Sequence, residues 1–168
     1  MSIKPIKLNG VLEDRSLWRV ENCSISMAME VIGTRSSMLI LREALYGTTR
    51  FDDFVKRTKG TDAIVAARLK QLTDIGLFEK RPYQEEGKRT RYEYVLTPMG
   101  ADLMPAVFAL MQWGNHYLQP ENGGPLHLVK RGTRMPVIIG PLAESDAELG
   151  IDDLEIVANG DWIDRGHD

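Results

Sequence analysis

Lys88, Arg89 and Arg91 stand just beyond Glu85-Glu86-Gly87 in a polar stretch. Guanidinium and ammonium groups gathered beside a turn-forming glycine suit phosphate oxygens, and the acidic pair would restrain non-specific attraction. Cys23 has a different potential chemistry, because a thiolate next to a helix start benefits from the local positive potential and becomes a better nucleophile. As the one cysteine it can form no internal disulfide, and with His116, His127 and His167 scattered it makes a poor metal site. The sequence shows no Gly-rich phosphate loop and no His-x-x-x-His pair, and the adjacent carboxylates of Asp52-Asp53 and Asp152-Asp153 point apart on a helix or strand. An enzyme is not expected, nor a cofactor or metal.

Charge supports a binding role more than its average indicates. The net charge is -3, yet residues 1–118 carry 17 Lys/Arg against 14 Asp/Glu, and residues 119–168 carry 4 against 10. The window from Arg50 to Arg91 holds 11 basic and 7 acidic side chains, so positive charge is concentrated where a nucleic-acid footprint could lie. No apolar run is long enough for a membrane span, and Met1 to Gly10 lacks the apolar middle of a secretory signal. A cytoplasmic protein without membrane contact is expected.

The elements that must hold these groups are short. Ile25, Met29 and Ile32 predict a helix over 24–32 closed by Gly33, and a second is expected from Arg35 to Tyr46, capped by Thr34 or Ser36. Phe51, Phe54 and Val55 give a short helix with Asp52 and Asp53 in its first turn. After Lys59-Gly60, Thr61 caps a further helix whose stripe runs through Val65, Leu69 and Leu72. Two short helices joined by a tight turn form a helix-turn-helix. The period then changes to two from Leu77 to Tyr83 and again through Tyr92, Tyr94 and Leu96, which describes a β-hairpin with Pro82 at an edge. Thr97-Pro98 opens a last long helix reaching Leu118, with Pro105 either bending it or marking its regular start.

The fold class is therefore α/β (α+β), a winged helix-turn-helix domain at 21–118. It is preceded by an N-terminal arm at 1–20, expected to pack through Leu17 and Trp18, and followed by a linker at 119–125 and an acidic, β-rich C-terminal extension at 126–168. Within the extension, Leu126 to Val129 and Met135 to Ile139 read as strands, and Leu154, Ile156 and Trp162 as anchors. With Val65, Leu69 and Leu72 inward, Thr61, Asp62, Ala63 and Ala66 face outward, with Ala67 a further candidate, where they would meet base edges in a major groove. Arg68 is either a DNA contact or a scaffold residue paired to a carboxylate; Lys70 and Arg50 suit phosphates. Lys88, Arg89 and Arg91 would enter the adjacent minor groove or straddle its phosphates. Val107, Leu110, Met111, Trp113 and Tyr117 make the last helix more apolar than one small core needs, which points to a second subunit.

Several pieces in order, Cys23-Ser24-Ile25, Ile32-Gly33-Thr34-Arg35, Leu39 to Glu43, Arg50-Phe51, Ala67 to Leu72, Gly76-Leu77 and Glu93 to Gly100, resemble the HxlR-type (MarR-like) winged-helix transcriptional regulators. The likeness spans about Cys23 to His116, with Ser36 where the family usually has Trp, Gly60 where Ile is common, and no Pro-Pro in the wing. It implies a homodimeric, cytosolic bacterial regulator of double-stranded DNA that binds palindromic operators. The dimer would use the first and last helices, hence Ile25 and Met29 besides the last-helix residues, and Cys23 would sense oxidants or electrophiles. Some relatives carry a cysteine-bearing metal knuckle resembling Arg131 to Val157; without cysteine, packing must substitute here. A small-molecule effector fits the same scheme, and the alternative is a dimeric winged-helix adaptor or ligand sensor that does not bind DNA.

Overall fold

Glycines and hydroxyl caps interrupt the apolar repeats often, so the chain builds many short elements. The computed structural model describes residues 5–17, 19–120, 124–141 and 155–156. Two units result, one of Met27–Ile139 and one of Met1–Ser26 with Gly140–Asp168.

The arm contains β1 (Lys7–Leu8) and 3-10 turns at Gly10–Glu13, Arg15–Leu17 and Val20–Asn22, with Leu12 buried. The expected packing of the Leu17 and Trp18 side chains lies outside the described residues. Next come α1 (Ser24–Ile32) and α2 (Arg35–Leu45). Of the two candidate caps for α2, Thr34 is the one used: its hydroxyl accepts from Ser37 N at 3.1 Å. The helix-turn-helix pair is α3 (Phe51–Thr58) and α4 (Asp62–Asp74). The wing is an antiparallel hairpin of β2 (Phe78–Tyr83) and β3 (Arg91–Leu96), registered from Phe78 opposite Leu96 to Tyr83 opposite Arg91.

Thr97 ties the helix pair to the helices after the wing. Its hydroxyl donates to Gly76 O at 2.6 Å and accepts from Gly100 N at 3.2 Å, so it anchors the end of α4 while capping α5 (Pro98–Ala101). The single long helix expected from Pro98 is divided: α6 (Met104–Tyr117) starts anew, with Pro105 in its first turn. Proline has no N–H to donate and clashes with the carbonyl four residues back, so a helix tolerates it only at such a start.

Ile32, Ile40, Leu41, Phe54, Val65, Leu69, Leu72, Leu77, Phe78 and Val107 form one buried cluster, drawn from α1, α2, α3, α4, the wing and α6. The stripe read for α4 is thus its core face. Beyond α6, residues 124–139 belong to the same unit. The two strands expected there reduce to one antiparallel bridge, Val129 with Pro136, closed by Val137 N donating to Leu128 O at 3.0 Å. The last element, β4 (Glu155–Ile156), pairs in parallel with β1, Lys7 opposite Glu155. The anchoring expected of the Leu154, Ile156 and Trp162 side chains lies outside the described residues. Mixed short helices with a small antiparallel sheet match the α+β class, and among the described residues no helix is long and apolar enough to cross a membrane.

Candidate nucleic-acid interface

Backbone bonds suspend α3 from the wing. Arg50, the residue before α3, forms an isolated bridge with Glu93, and Tyr94 N donates to Thr49 O at 2.7 Å. Phe54 lies fully buried and meets Phe78 and Tyr94 edge-on, with centroids 6.2 and 6.5 Å away. At the other end of α3, Thr58 Oγ1 donates to Phe54 O at 2.7 Å and Lys59 takes the left-handed conformation, with φ 54°. Left-handed backbone usually falls to glycine, yet Gly60 is needed for another reason: a Cβ there would lie 2.8 Å from Val65 Cγ2. The turn between the helices is therefore tight on both counts.

On α4, Thr61, Asp62, Ala63, Ala66 and Lys70 are exposed, as the periodicity required. Ile64 and Ala67 join them. The Thr61 hydroxyl is engaged as the cap, accepting from Ile64 N at 3.4 Å. Arg68 is half-buried and donates to Gln71 Oε1 at 2.6 Å, so its partner is a neutral amide and not the carboxylate its scaffold reading required. Lys70 lies 2.5 Å from Asp74, an exposed pair one helical turn apart.

The wing carries more charge, and most of it is matched. Glu85 takes Arg50 on one oxygen at 2.9 Å and Lys88 on the other at 2.6 Å; Arg91 reaches Asp52 at 3.1 Å. The hydrogen bond from Lys88, then the charges of Lys88 and Arg50, hold the Glu85 carboxyl below the usual carboxylate range. The Arg50 guanidinium also covers the Tyr83 ring at 4.7 Å. Arg89 is exposed and makes no ion pair among the described residues. Lys88, Arg89, Thr90 and Arg91 line a concavity of about 460 Å³ at the wing tip.

Lys56, Arg57 and Lys59 add to the basic window, but the sequence reading assigns them no role. All are exposed, at the last turn of α3 and in the turn before α4, where cations complement the helix carboxyl end. A basic doublet followed by Lys-Gly was the available signal.

The residues expected at a subunit interface divide into two groups. Ile25 is 72% exposed, Trp113 54% and Tyr117 66%, with Met29 and Leu110 exposed as well. Val107, by contrast, is only 7% exposed and belongs to the core cluster, on the side of α6 that packs against α2. Met111 is half-buried, accepts a hydrogen bond from Tyr46 Oη at 3.7 Å, and lines a groove of about 340 Å³ with Met38, Arg42 and Leu126. Cys23 is a free, half-buried thiol one residue before α1; its N–H donates to Val20 O at 3.0 Å.

Two helices joined by a strained turn, followed by a charged antiparallel hairpin, define a winged helix-turn-helix protein. A model of the HxlR-like helix-turn-helix matches residues 31–122, and the chain belongs to that family. The uncharacterized HTH-type transcriptional regulator Rv3095 of Mycobacterium tuberculosis (strain ATCC 25618 / H37Rv) is 39% identical over 110 residues, covering 66% of this chain and 68% of its own. A regulator of the same description from Methanothermobacter thermautotrophicus is 33% identical over 104 residues, covering 61% and 78%. The crystal structure of PA1607, a transcription-factor candidate, superposes with a TM-score of 0.71 at 33% identity over 80% of this chain and 94% of that one.

Proposed function

We propose that this protein is a DNA-binding transcriptional regulator acting as a homodimer on a two-fold symmetric operator, and that Cys23 adjusts its affinity. The observation that carries the reading is the pairing, within one unit, of an α4 face made of small exposed residues with a wing bearing Lys88, Arg89 and Arg91. Relatives named as HTH-type transcriptional regulators support it.

On this reading the amino end of α4 enters the major groove. Ala63 and Ala66 touch thymine methyls, Asp62 accepts from cytosine N4, and the wing tracks an adjacent minor groove or its phosphates. Because Thr61 already caps the helix and Arg68 already holds Gln71, neither commits its whole hydrogen-bonding capacity to DNA. Arg50 and Lys70 take phosphates by exchanging Glu85 and Asp74 for them. DNA fragments recovered genome-wide with the protein, then titrated at two salt concentrations, should show tight binding that weakens steeply with salt. A protein that dimerises but shows no salt-dependent affinity for duplex would instead be an adaptor or ligand sensor.

Exposed apolar side chains on α1 and α6 support the dimer. Sedimentation at micromolar concentration should give about twice the 18.9 kDa chain mass. A clean monomer would sink the dimer and the two-fold operator together. The Cys23 part is tested by comparing wild type with Cys23→Ser in one titration with and without oxidant; an equal response in both leaves the thiol an ordinary packing residue.

A further inference from the structure

The wing is not the only charged turn in the helical unit. Residues 130–134, Lys130-Arg131-Gly132-Thr133-Arg134, place three cations in five positions, and residues 124–141 contain no Asp or Glu. All three side chains are exposed, and among the described residues none of them makes an ion pair. In the wing, by comparison, Lys88 and Arg91 each have a carboxylate partner.

The turn is also held in shape. Arg134 N donates to Lys130 O at 3.0 Å and Lys130 N to Met135 O at 2.8 Å, so the first and last cations sit at the two ends of one closed turn. Gln112 of α6 grips the returning segment twice, donating to Val137 O at 2.6 Å and accepting from Ile139 N at 3.0 Å. Asn115 donates to Leu126 O at 2.8 Å, which fixes the outgoing segment. A cationic loop fixed to a core helix loses little entropy when it takes up an anionic partner. It also lies beyond residue 122, where the family match ends.

We propose that the 130–134 turn is a second phosphate-binding element, which contacts the DNA backbone outside the stretch covered by the recognition helices and wings. This rests on the DNA-binding reading and extends it. Three cations with no ion-pair partner among the described residues release counterions without first surrendering one of those internal pairs, so each phosphate they meet adds fully to the salt dependence. The turn contributes affinity and footprint length, not sequence discrimination.

The test is a variant with Lys130→Gln, Arg131→Gln and Arg134→Asn. Asparagine is chosen because Arg134 has φ 58°, a left-handed value that Asn tolerates better than Ala. Wild type and variant are titrated against random-sequence duplexes of about 40 and about 20 base pairs, the shorter spanning only two successive major grooves. Unchanged thermal unfolding and sedimentation establish that the variant is intact; should it fail to fold, the single Lys130→Gln and Arg131→Gln variants carry the measurement. On the longer duplex the variant should bind more weakly, with a salt slope smaller by about 0.9 for each phosphate it no longer meets. On the shorter duplex the two proteins should converge. Wild-type binding with an identical slope for the variant on the longer duplex overturns the turn's role alone, whereas no wild-type binding to either duplex overturns the DNA-binding reading with it. The other available anion is the chain's own stretch from Leu142 to Asp168, with nine Asp/Glu and one Arg. If a peptide of that sequence binds wild type but not the variant, while DNA slopes stay equal, the turn's partner is that segment and the proposal fails.

Discussion

Helix α4 and the wing present opposite chemistry at the surface. At its amino end the outward face of α4 is apolar side chains, a capping hydroxyl and the Asp62 carboxylate, and its cations Arg68 and Lys70 are engaged with Gln71 and Asp74. The wing presents cations at its tip, but Lys88, Arg91 and the adjoining Arg50 are held by Glu85 and Asp52. A surface of methyls discriminates by fit, so one misplaced atom is strongly unfavourable; a surface of paired cations discriminates little. Exposed ion pairs contribute only about 0 to 1 kcal/mol, so on the proposed reading phosphates would displace them readily, and the wing would add a difference between two sets of charge contacts.

The contrast depends on both parts being fixed to one another, and Phe54 is the joint. Phe54→Ala removes the edge contacts with Phe78 and Tyr94 and opens a cavity at a fully buried site. The expected loss is about 3 to 5 kcal/mol in denaturant unfolding, and a loss under about 1 kcal/mol would show that the backbone bridge at Arg50 holds the wing unaided. Next in size is Ala66→Glu. A longer, negative side chain on the exposed face of α4 should abolish binding to selected DNA while unfolding temperature and sedimenting mass stay as in wild type. Normal affinity in that variant would mean another face enters the groove.

These sites are legible to different degrees in the sequence, for physical reasons. The stripe Val65, Leu69, Leu72 sets the outward face of α4, because a helix that buries one stripe has no choice about the other. The hairpin is legible from the period-two spacing of Leu77 to Tyr83 and of Tyr92, Tyr94 and Leu96, while its register, Phe78 opposite Leu96, comes from the structure. What escapes are properties settled by partners distant in the chain. Glu85 is 35 residues from Arg50 and Arg91 is 39 from Asp52, and no local pattern announces such pairs. The apolar breadth of α6 is visible, but its division between the core at Val107 and an exposed side at Trp113 and Tyr117 depends on where α2 lies. Residues 126–139 fall within an acidic tail when charge is summed over the whole extension; the local stretch is basic.

A smaller effect separates wing from helix directly. Lys88→Ala with Arg89→Ala should weaken binding to selected and random duplex by similar factors and flatten the salt slope by about one unit for each phosphate released. If selected DNA suffers far more than random, the wing reads sequence and its contrast with α4 fails.

The smallest expected change has the opposite sign. In the free protein Glu85 lies between Arg50 and Lys88, at 2.9 and 2.6 Å; on DNA it would stand among phosphates of its own charge. Glu85→Gln keeps the shape and removes the charge, so random duplex should bind more tightly, by about a few-fold at most because exposed pairs contribute little. The pH behaviour depends on the sign of the shift. Lys88 and Arg50 hold the carboxyl below its usual range, so the ion pairs persist above that range and are lost only as pH falls through the depressed value. The ratio of variant to wild-type affinity should therefore be constant between about pH 6 and pH 8, and wild type should approach the variant only in acid below the usual carboxylate range. Weaker binding by Glu85→Gln would give the carboxylate a different role: it would then act by tying the wing tip to Arg50 in the posture that DNA requires, and the loss of that posture would outweigh the relief of repulsion.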